Sequence, residues 1–252
     1  MTTGRGRELL IDSGNSRVKW GWGSKDGIVA NAALENREIE STLQRLWGRE
    51  LVPCKIWLAN SAGERREHQL RHIVEVLWGI EVHSVRSSTS FGGIINSYHA
   101  PGQLGVDRWL GLIASWRRVR GSLCLVDCGT AITIDLINGS GNHQGGVILP
   151  EIGVSWAEFA EKVPHLSLDQ GSSSSLLLGK STEEGLRYGQ SGSVATVDRV
   201  LEEIFQQHGL ATLLVTGGGG KILQQESAFG FLRVENLVLE GLFQVAKSDN
   251  YQ

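Results

Sequence analysis

An excess of charge is what this chain most plainly lacks. Its 24 Lys and Arg stand against 27 Asp and Glu, a formal net charge of −3 over 252 residues. Such a balance removes the electrostatic case for nucleic acid as a main partner. Cysteine is scarce as well. Cys54, Cys124 and Cys128 are an odd number in apolar surroundings, and no second cluster completes a zinc site. They read as reduced core thiols of a cytosolic protein, with Cys124 and Cys128 on one face of a strand. No uninterrupted apolar run is long enough to span a bilayer, and residues 1–7 lead to a strand without a signal-peptide apolar region. The expectation is a cytoplasmic protein with no membrane partner.

Three familiar site signatures are also missing. The glycine run Gly217-Gly218-Gly219-Gly220-Lys221 invites a P-loop reading, but Val215 stands where that pattern begins and Ile222 replaces its Ser or Thr. A Gly-x-Gly-x-x-Gly dinucleotide fingerprint is absent. His68 and His72 have helical spacing for a metal, yet Gln69 stands where a metalloprotease needs Glu, and Arg65, Arg66 and Arg71 make that face cationic. A solvated helix face is the reading.

What is present centres on Leu123 to Leu136. An apolar run ends at Asp127, a small turn follows at Gly129-Thr130, and a β-branched run leads away toward Asp135. Strand, tight turn, strand is the natural form. A carboxylate at the end of a buried strand is costly unless it meets a cation or donors. Open backbone N–H groups beside it suit phosphate oxygens. Leu9 to Ser16 repeats the grammar with Asp12, Ser13, Gly14, Asn15 and Ser16, and Val18 and Trp20 continue as the outgoing strand. Two matched hairpins, one per half, imply two related domains facing a shared cleft.

Along the first half, Gly27 to Leu34 reads as a third antiparallel strand. Helices are expected over Glu38–Trp47, with Ile39, Leu43, Leu46 and Trp47 inward, and over Glu64–Trp78; strands are expected at Lys55–Ala59 and Ile80–Val85. The order β-β-β-α-β-α-β points to a mixed sheet covered by helices. Ser87 to Gly102 reads as a loop that leads to a helix with Asp107 and Arg108 near its start. In the second half His143 to Leu149 is a strand, Trp156 to Lys162 part of a helix, and Gly171 to Gly179 a flexible surface segment. Ser181 to His208 is helical, with Gly185, Gly189 and Gly192 breaking or tightening its start and an apolar stripe of Val194, Val197, Leu201, Ile204 and Phe205. Thr212 to Val215 is a buried strand whose glycine turn allows close backbone approach to a nucleotide, and Leu237 to Val245 a closing helix. The fold class is α/β, two ribonuclease H-like (actin-like ATPase) domains over 1–118 and 119–252, with the last helix expected to pack back on the first.

The motifs taken together resemble the actin, sugar kinase and Hsp70 superfamily, and within it type III pantothenate kinase. That family carries Asp-x-Gly-Asn-Thr-x-x-Lys/Arg, here Asp12-Ser13-Gly14-Asn15-Ser16-Arg17-Val18-Lys19. It carries Gly-x-Asp-Arg, here Gly105-Val106-Asp107-Arg108, and Asp-x-Gly-Thr-Ala-x-Thr-x-Asp, here Asp127 to Asp135. Gly-Gly-x-Ile-x-Pro appears as Gly145 to Pro150, and Thr-Gly-Gly as Thr216 to Gly218. Ser16 replaces the usual Thr, Glu151 the Gly that commonly follows Pro150, and Ser181-Thr182-Glu183-Glu184-Gly185 stands for Asn-Thr-x-x-Ala.

The resemblance implies transfer of the ATP γ-phosphate to the terminal hydroxyl of pantothenate, the first step of coenzyme A synthesis. It implies that Asp12 with magnesium holds the triphosphate, that Ser13 to Lys19 line the phosphate path, and that Gly129 and Thr130 contact ATP. Asp127 would hold a monovalent cation, potassium or ammonium. Asp107 would be the general base, with Arg108 steering or neutralising charge at the reacting oxygen. Tyr98, Gly105 and Val106 would line the pantothenate pocket with Asp107 and Arg108, and Thr182 would reach the neighbouring subunit's site in a homodimer. Two other readings stay open on the residues: another small-molecule kinase of the superfamily, and a regulatory relative that keeps the fold.

Overall fold

The computed structural model describes residues 7–25, 27–35, 39–155, 158, 161, 178–186 and 193–248. Most of the helix expected over Trp156–Lys162, most of the segment Gly171–Gly179, and Gly189 and Gly192 lie outside them. By internal contacts the chain divides into two compact units, Met1–Arg86 with Val238–Gln252, and Ser87–Leu237. This division differs from a boundary at 118/119, because the helix before that point packs on strands that follow it.

In the first unit five strands lie in the order β3-β2-β1-β4-β5. They are β1 (Glu8–Ser13), β2 (Arg17–Ser24), β3 (Gly27–Glu35), β4 (Lys55–Asn60) and β5 (Val82–Val85). β1, β2 and β3 pair antiparallel, while β1, β4 and β5 run parallel. Register explains the core. Leu9 and Ile11 sit opposite Trp22 and Trp20 on one side and Ile56 and Leu58 on the other. Those residues share one face with α1 (Ile39–Trp47) and α2 (Glu64–Trp78). There Trp20 meets Trp47 edge-on at 5.9 Å, and Trp47 stacks on Trp78 at 6.0 Å. Leu46, expected inward, is 36% exposed; the inward stripe of α1 is Ile39, Leu43 and Trp47. His68 and His72 are exposed on α2, as expected of a solvated face.

β2 alternates Trp20, Trp22 with Gly21, Gly23, and the alternation has a physical reason. The tryptophans fill the core face, while on the other face the Phe243 ring lies about where a Gly23 side chain would be, 3.1 Å from an ideal Cβ. Lys247, just past the final helix, donates from Nζ to the Lys25 carbonyl at 2.9 Å.

The second unit repeats the plan. Its sheet has the order β10-β9-β8-β11-β12, from β8 (Leu123–Cys128), β9 (Ala131–Ile137), β10 (His143–Pro150), β11 (Thr212–Thr216) and β12 (Leu232–Arg233). Again three strands are antiparallel and the rest parallel. α3 (Val106–Arg118) packs on β8 and β9. The two helical pieces of the expected 181–208 helix are α4 (Thr182–Leu186) and α5 (Val194–His208), the latter burying Val197, Val200, Leu201 and Ile204 in this unit's core. A short helix, α6 (Gly220–Glu226), follows the glycine turn, and α7 (Leu237–Ala246) closes the chain.

Two expectations need correction here. Ser87–Gly102 is not loop throughout: β6 (Ser90–Phe91) and β7 (Ile94–Ile95) form a small hairpin turned by Gly92 and Gly93, both at positive φ. Cys54 is exposed rather than a core thiol, because it stands just before β4 begins. Cys124 and Cys128 are buried, and burial, with Asp127 adding to it, pushes the Cys128 thiol up to about 12.

Candidate active site

The two hairpin aspartates occupy the same grid position in their respective sheets. Asp12 is the penultimate residue of the first unit's central strand, flanked by Lys19 across the antiparallel pair and Ala59 across the parallel one. Asp127 is the penultimate residue of β8, flanked by Thr133 and Thr216 in the same sense. A fold repeated with its acid in register is stronger than two similar words in a sequence.

In the first unit Asp12 is buried, with Lys19 Nζ 4.0 Å from Oδ2. The Gly14 N–H donates to the Arg17 carbonyl at 3.0 Å and closes the turn. Asn15 is half-buried and Ser16 exposed. Arg17 pairs with Glu35 at 3.4 Å on the open surface, an interaction worth little. Ser13 and Val18 are fully buried, Val18 within the core. The Ser13 carbonyl accepts from the Ser61 N–H at 2.9 Å.

In the second unit the Gly129 N–H donates to the Ala131 carbonyl at 3.0 Å, and Asp127 and Thr130 are half-buried beside that turn. The glycine run after β11 folds against the same strand end, with the Gly219 N–H on the Cys128 carbonyl at 3.0 Å. Gly217 has φ +84°, and a Cβ there would lie 2.6 Å from Asp127 Oδ1. Only glycine permits that approach.

The same unit holds Asp107 and Arg108 in the first turn of α3, entered through Gly105. Asp107 is half-buried, and its Oδ1 accepts the Arg108 backbone N–H at 2.8 Å. Arg108 turns inward. Its Nε and Nη2 donate to the two oxygens of Asp135 at 2.8 and 2.6 Å, and Nη1 donates to the Tyr98 hydroxyl at 2.7 Å. His143 Nε2 lies 2.9 Å from Asp135 Oδ1. Burial alone would push the Asp135 carboxyl up; the Arg108 charge, then the His143 and Arg108 hydrogen bonds, outweigh it and hold the group at about 2. For Arg108 burial works against the charge, and Asp135 and Tyr98 more than offset it, so the guanidinium is held more firmly protonated than usual. The Tyr98 phenol is raised, burial being the largest cause.

Val106 is buried at the start of α3. Thr182 Oγ1 donates to the Gln103 carbonyl at 3.3 Å, and the His99 N–H donates to the Lys180 carbonyl at 3.1 Å, so α4 is laced to the segment just before Gly105. Asp135, His143 and Gly146 were not among the site residues read from sequence. A carboxylate inside the apolar run Ile132–Ile137 was a usable signal, since it needs a buried partner. Nothing local marks His143.

Two copies of one mixed sheet, each with an acid at the penultimate position of its first strand and a tight glycine turn beyond it, define a duplicated α/β protein. The chain belongs to the type III pantothenate kinase family, whose model matches residues 8–204. It is 32% identical over 249 residues to the type III pantothenate kinase of Nitrosomonas eutropha, covering 96% of this chain and 95% of that one. To that of Alcanivorax borkumensis it is 33% identical, over 94% and 98%. Among solved structures, a reductive activator for corrinoid,iron-sulfur protein superposes with a TM-score of 0.50 at 10% identity, covering 98% of this chain and 61% of that one, a likeness of fold alone. No helix among the described residues is long and apolar enough to cross a membrane.

Proposed function

We propose that this protein transfers the γ-phosphoryl group of ATP to the terminal hydroxyl of pantothenate. Family membership over most of the chain supports the reaction. The observation that carries the mechanism is the contrast inside one helical turn: Asp107 keeps a half-open carboxylate while Arg108 beside it is buried and donates three side-chain hydrogen bonds. Phosphoryl transfer asks mainly for positioning and charge neutralisation. In this reading Asp107 takes the hydroxyl proton, the Tyr98 phenol, Gly105 and Val106 face pantothenate, and Thr182 reaches the pantothenate of the neighbouring subunit's site in a homodimer. Backbone N–H groups around Gly14, with Asn15, Ser16, Arg17 and Lys19, meet the phosphates, as do Gly129 and Thr130.

Magnesium would arrive with the triphosphate. The Asp12 carboxylate is a single oxygen ligand group, suited to an ion that substrate phosphates already carry and too sparse to cage one alone, while the Lys19 ammonium beside it suits the phosphates themselves. Among the described residues no group of three or more His, Cys, Asp or Glu could hold a metal. Bound there, the ion would neutralise phosphate charge. For a monovalent cation, potassium or ammonium, the Asp127 carboxylate beside the side-chain-free Gly217 turn supplies the oxygen chemistry. A homodimer in the cytoplasm completes the proposal.

A coupled ATP-consumption assay tests it. Expected is ATP turnover that requires pantothenate, is absent with a panel of sugars, and rises when potassium replaces sodium. Turnover with a sugar and none with pantothenate would overturn the reading. Equal rates in sodium-only buffer would remove the cation site alone, and Asp127→Ala should abolish whatever potassium activation is present.

A further inference from the structure

We propose that His143 and Asp135 are positioning residues for the acceptor site, holding Arg108 and through it the Tyr98 phenol and the turn that carries Asp107. The inference rests on the kinase reading above. Its basis is a hydrogen-bonded circuit that leaves one short segment and returns to it. From the Tyr98 hydroxyl the path runs to Arg108 Nη1 at 2.7 Å, through the guanidinium fork to Asp135 at 2.6 and 2.8 Å, and on to His143 Nε2 at 2.9 Å. It ends at Ser97 Oγ, 3.4 Å from His143 Nδ1, next door to Tyr98 in sequence. An ionised carboxylate only accepts, so His143 Nε2 donates to Asp135, and Nδ1 is the ring atom that faces Ser97. The His143 ring also stacks on the Tyr98 ring at 6.0 Å and 19°.

A simple brace between β9 and α3 would need only the Arg108–Asp135 fork. The imidazole goes further, tying the fork to the segment that presents the phenol, and it does so at 2% exposure, where an unneeded polar ring is a liability. Gly146 makes room for the circuit. A Cβ there would lie 2.5 Å from Asp135 Oδ1 and closer still to Arg108 Nη2. Because Arg108 also donates its backbone N–H to Asp107, a loosened guanidinium reaches the base through one residue.

Steady-state kinetics on His143→Phe, His143→Gln and Ser97→Ala provide the test. His143→Phe keeps a flat ring and loses both polar contacts; the KM for pantothenate should rise about tenfold while the KM for ATP stays put. His143→Gln restores an N–H toward Asp135 and should recover most of the loss. Ser97→Ala, which leaves the ion pair untouched, should raise the pantothenate KM about threefold and keeps the test open if His143→Phe does not fold. Parental pantothenate KM in these variants, or equal rises for both substrates, would overturn the inference. An unmutated protein that forms no phosphopantothenate would overturn the kinase reading itself, a different and separately visible failure.

Discussion

Asp107 and Arg108 are neighbours with opposite surroundings, and that difference decides what each can do. The carboxylate is half-open and holds one backbone hydrogen bond; the guanidinium is 7% exposed and donates three side-chain hydrogen bonds. Substituting Asp107→Asn keeps shape and packing while removing the basic oxygen. Turnover should fall at least ~100-fold, the low end for a general base, with ATP affinity by calorimetry nearly unchanged. Full turnover in that variant would take Asp107 out of the reaction. Asp135 carries a different consequence, for stability. Its folded-state pKa of about 2 lies below the ordinary carboxylate value, so its contribution is fully present above about pH 4. As pH falls toward 2 the unfolded chain takes up the proton first and that contribution is lost, on the order of 2 kcal/mol. Urea unfolding at pH 6 and pH 3 should show about half of that loss, and Asp135→Asn, though less stable at pH 6, should show a smaller drop between the two.

Elements here are shaped as much by where side chains are missing as by where they are. β10 passes the Arg108–Asp135 pair at Gly146, and an added methyl group would have to displace the pair or bend the strand. Gly146→Ala should therefore lower stability by about 1–3 kcal/mol, typical of overpacking. Gly218→Ala, where a Cβ meets nothing within 4 Å, is the comparison; equal melting temperatures for the two would refute the packing account. This kind of constraint explains what could be read from sequence and what could not. Both acidic hairpins and α2, whose bounds Glu64–Trp78 match the expectation, are announced by local signals: a turn glycine, a period, a closing Gly79. The β6–β7 hairpin escaped because two-residue strands carry no period to detect. Arg108 could be placed near the start of a helix, but not its partner. Asp135 is 27 residues away, and they meet only because α3 lies on β9. The Trp-Gly alternation of β2 reads as a strand, yet which helix covers Gly23 needs Phe243, 220 residues on.

At the scale of the molecule, one sheet topology occurs twice with its acid in register, yet the chain does not divide into two consecutive halves. It leaves the first unit after Arg86 and returns to it at Val238. The consequence concerns folding. Leu239, Leu242 and Val245 of α7 are fully buried, and Phe243 lies over Gly23 of β2. Burying three such aliphatic side chains contributes roughly 5–9 kcal/mol at about 1.5–3 each. That is as large as the whole stability of many domains, about 5–15 kcal/mol. A fragment ending at residue 86 should therefore fail to fold cooperatively. Residues 1–86 joined through a flexible linker to 237–252 should regain a sigmoidal urea transition and a dispersed amide spectrum. A cooperative transition in the bare 1–86 fragment, with the same midpoint as the linked form, would mean that the final helix is an accessory to the first sheet rather than part of its core.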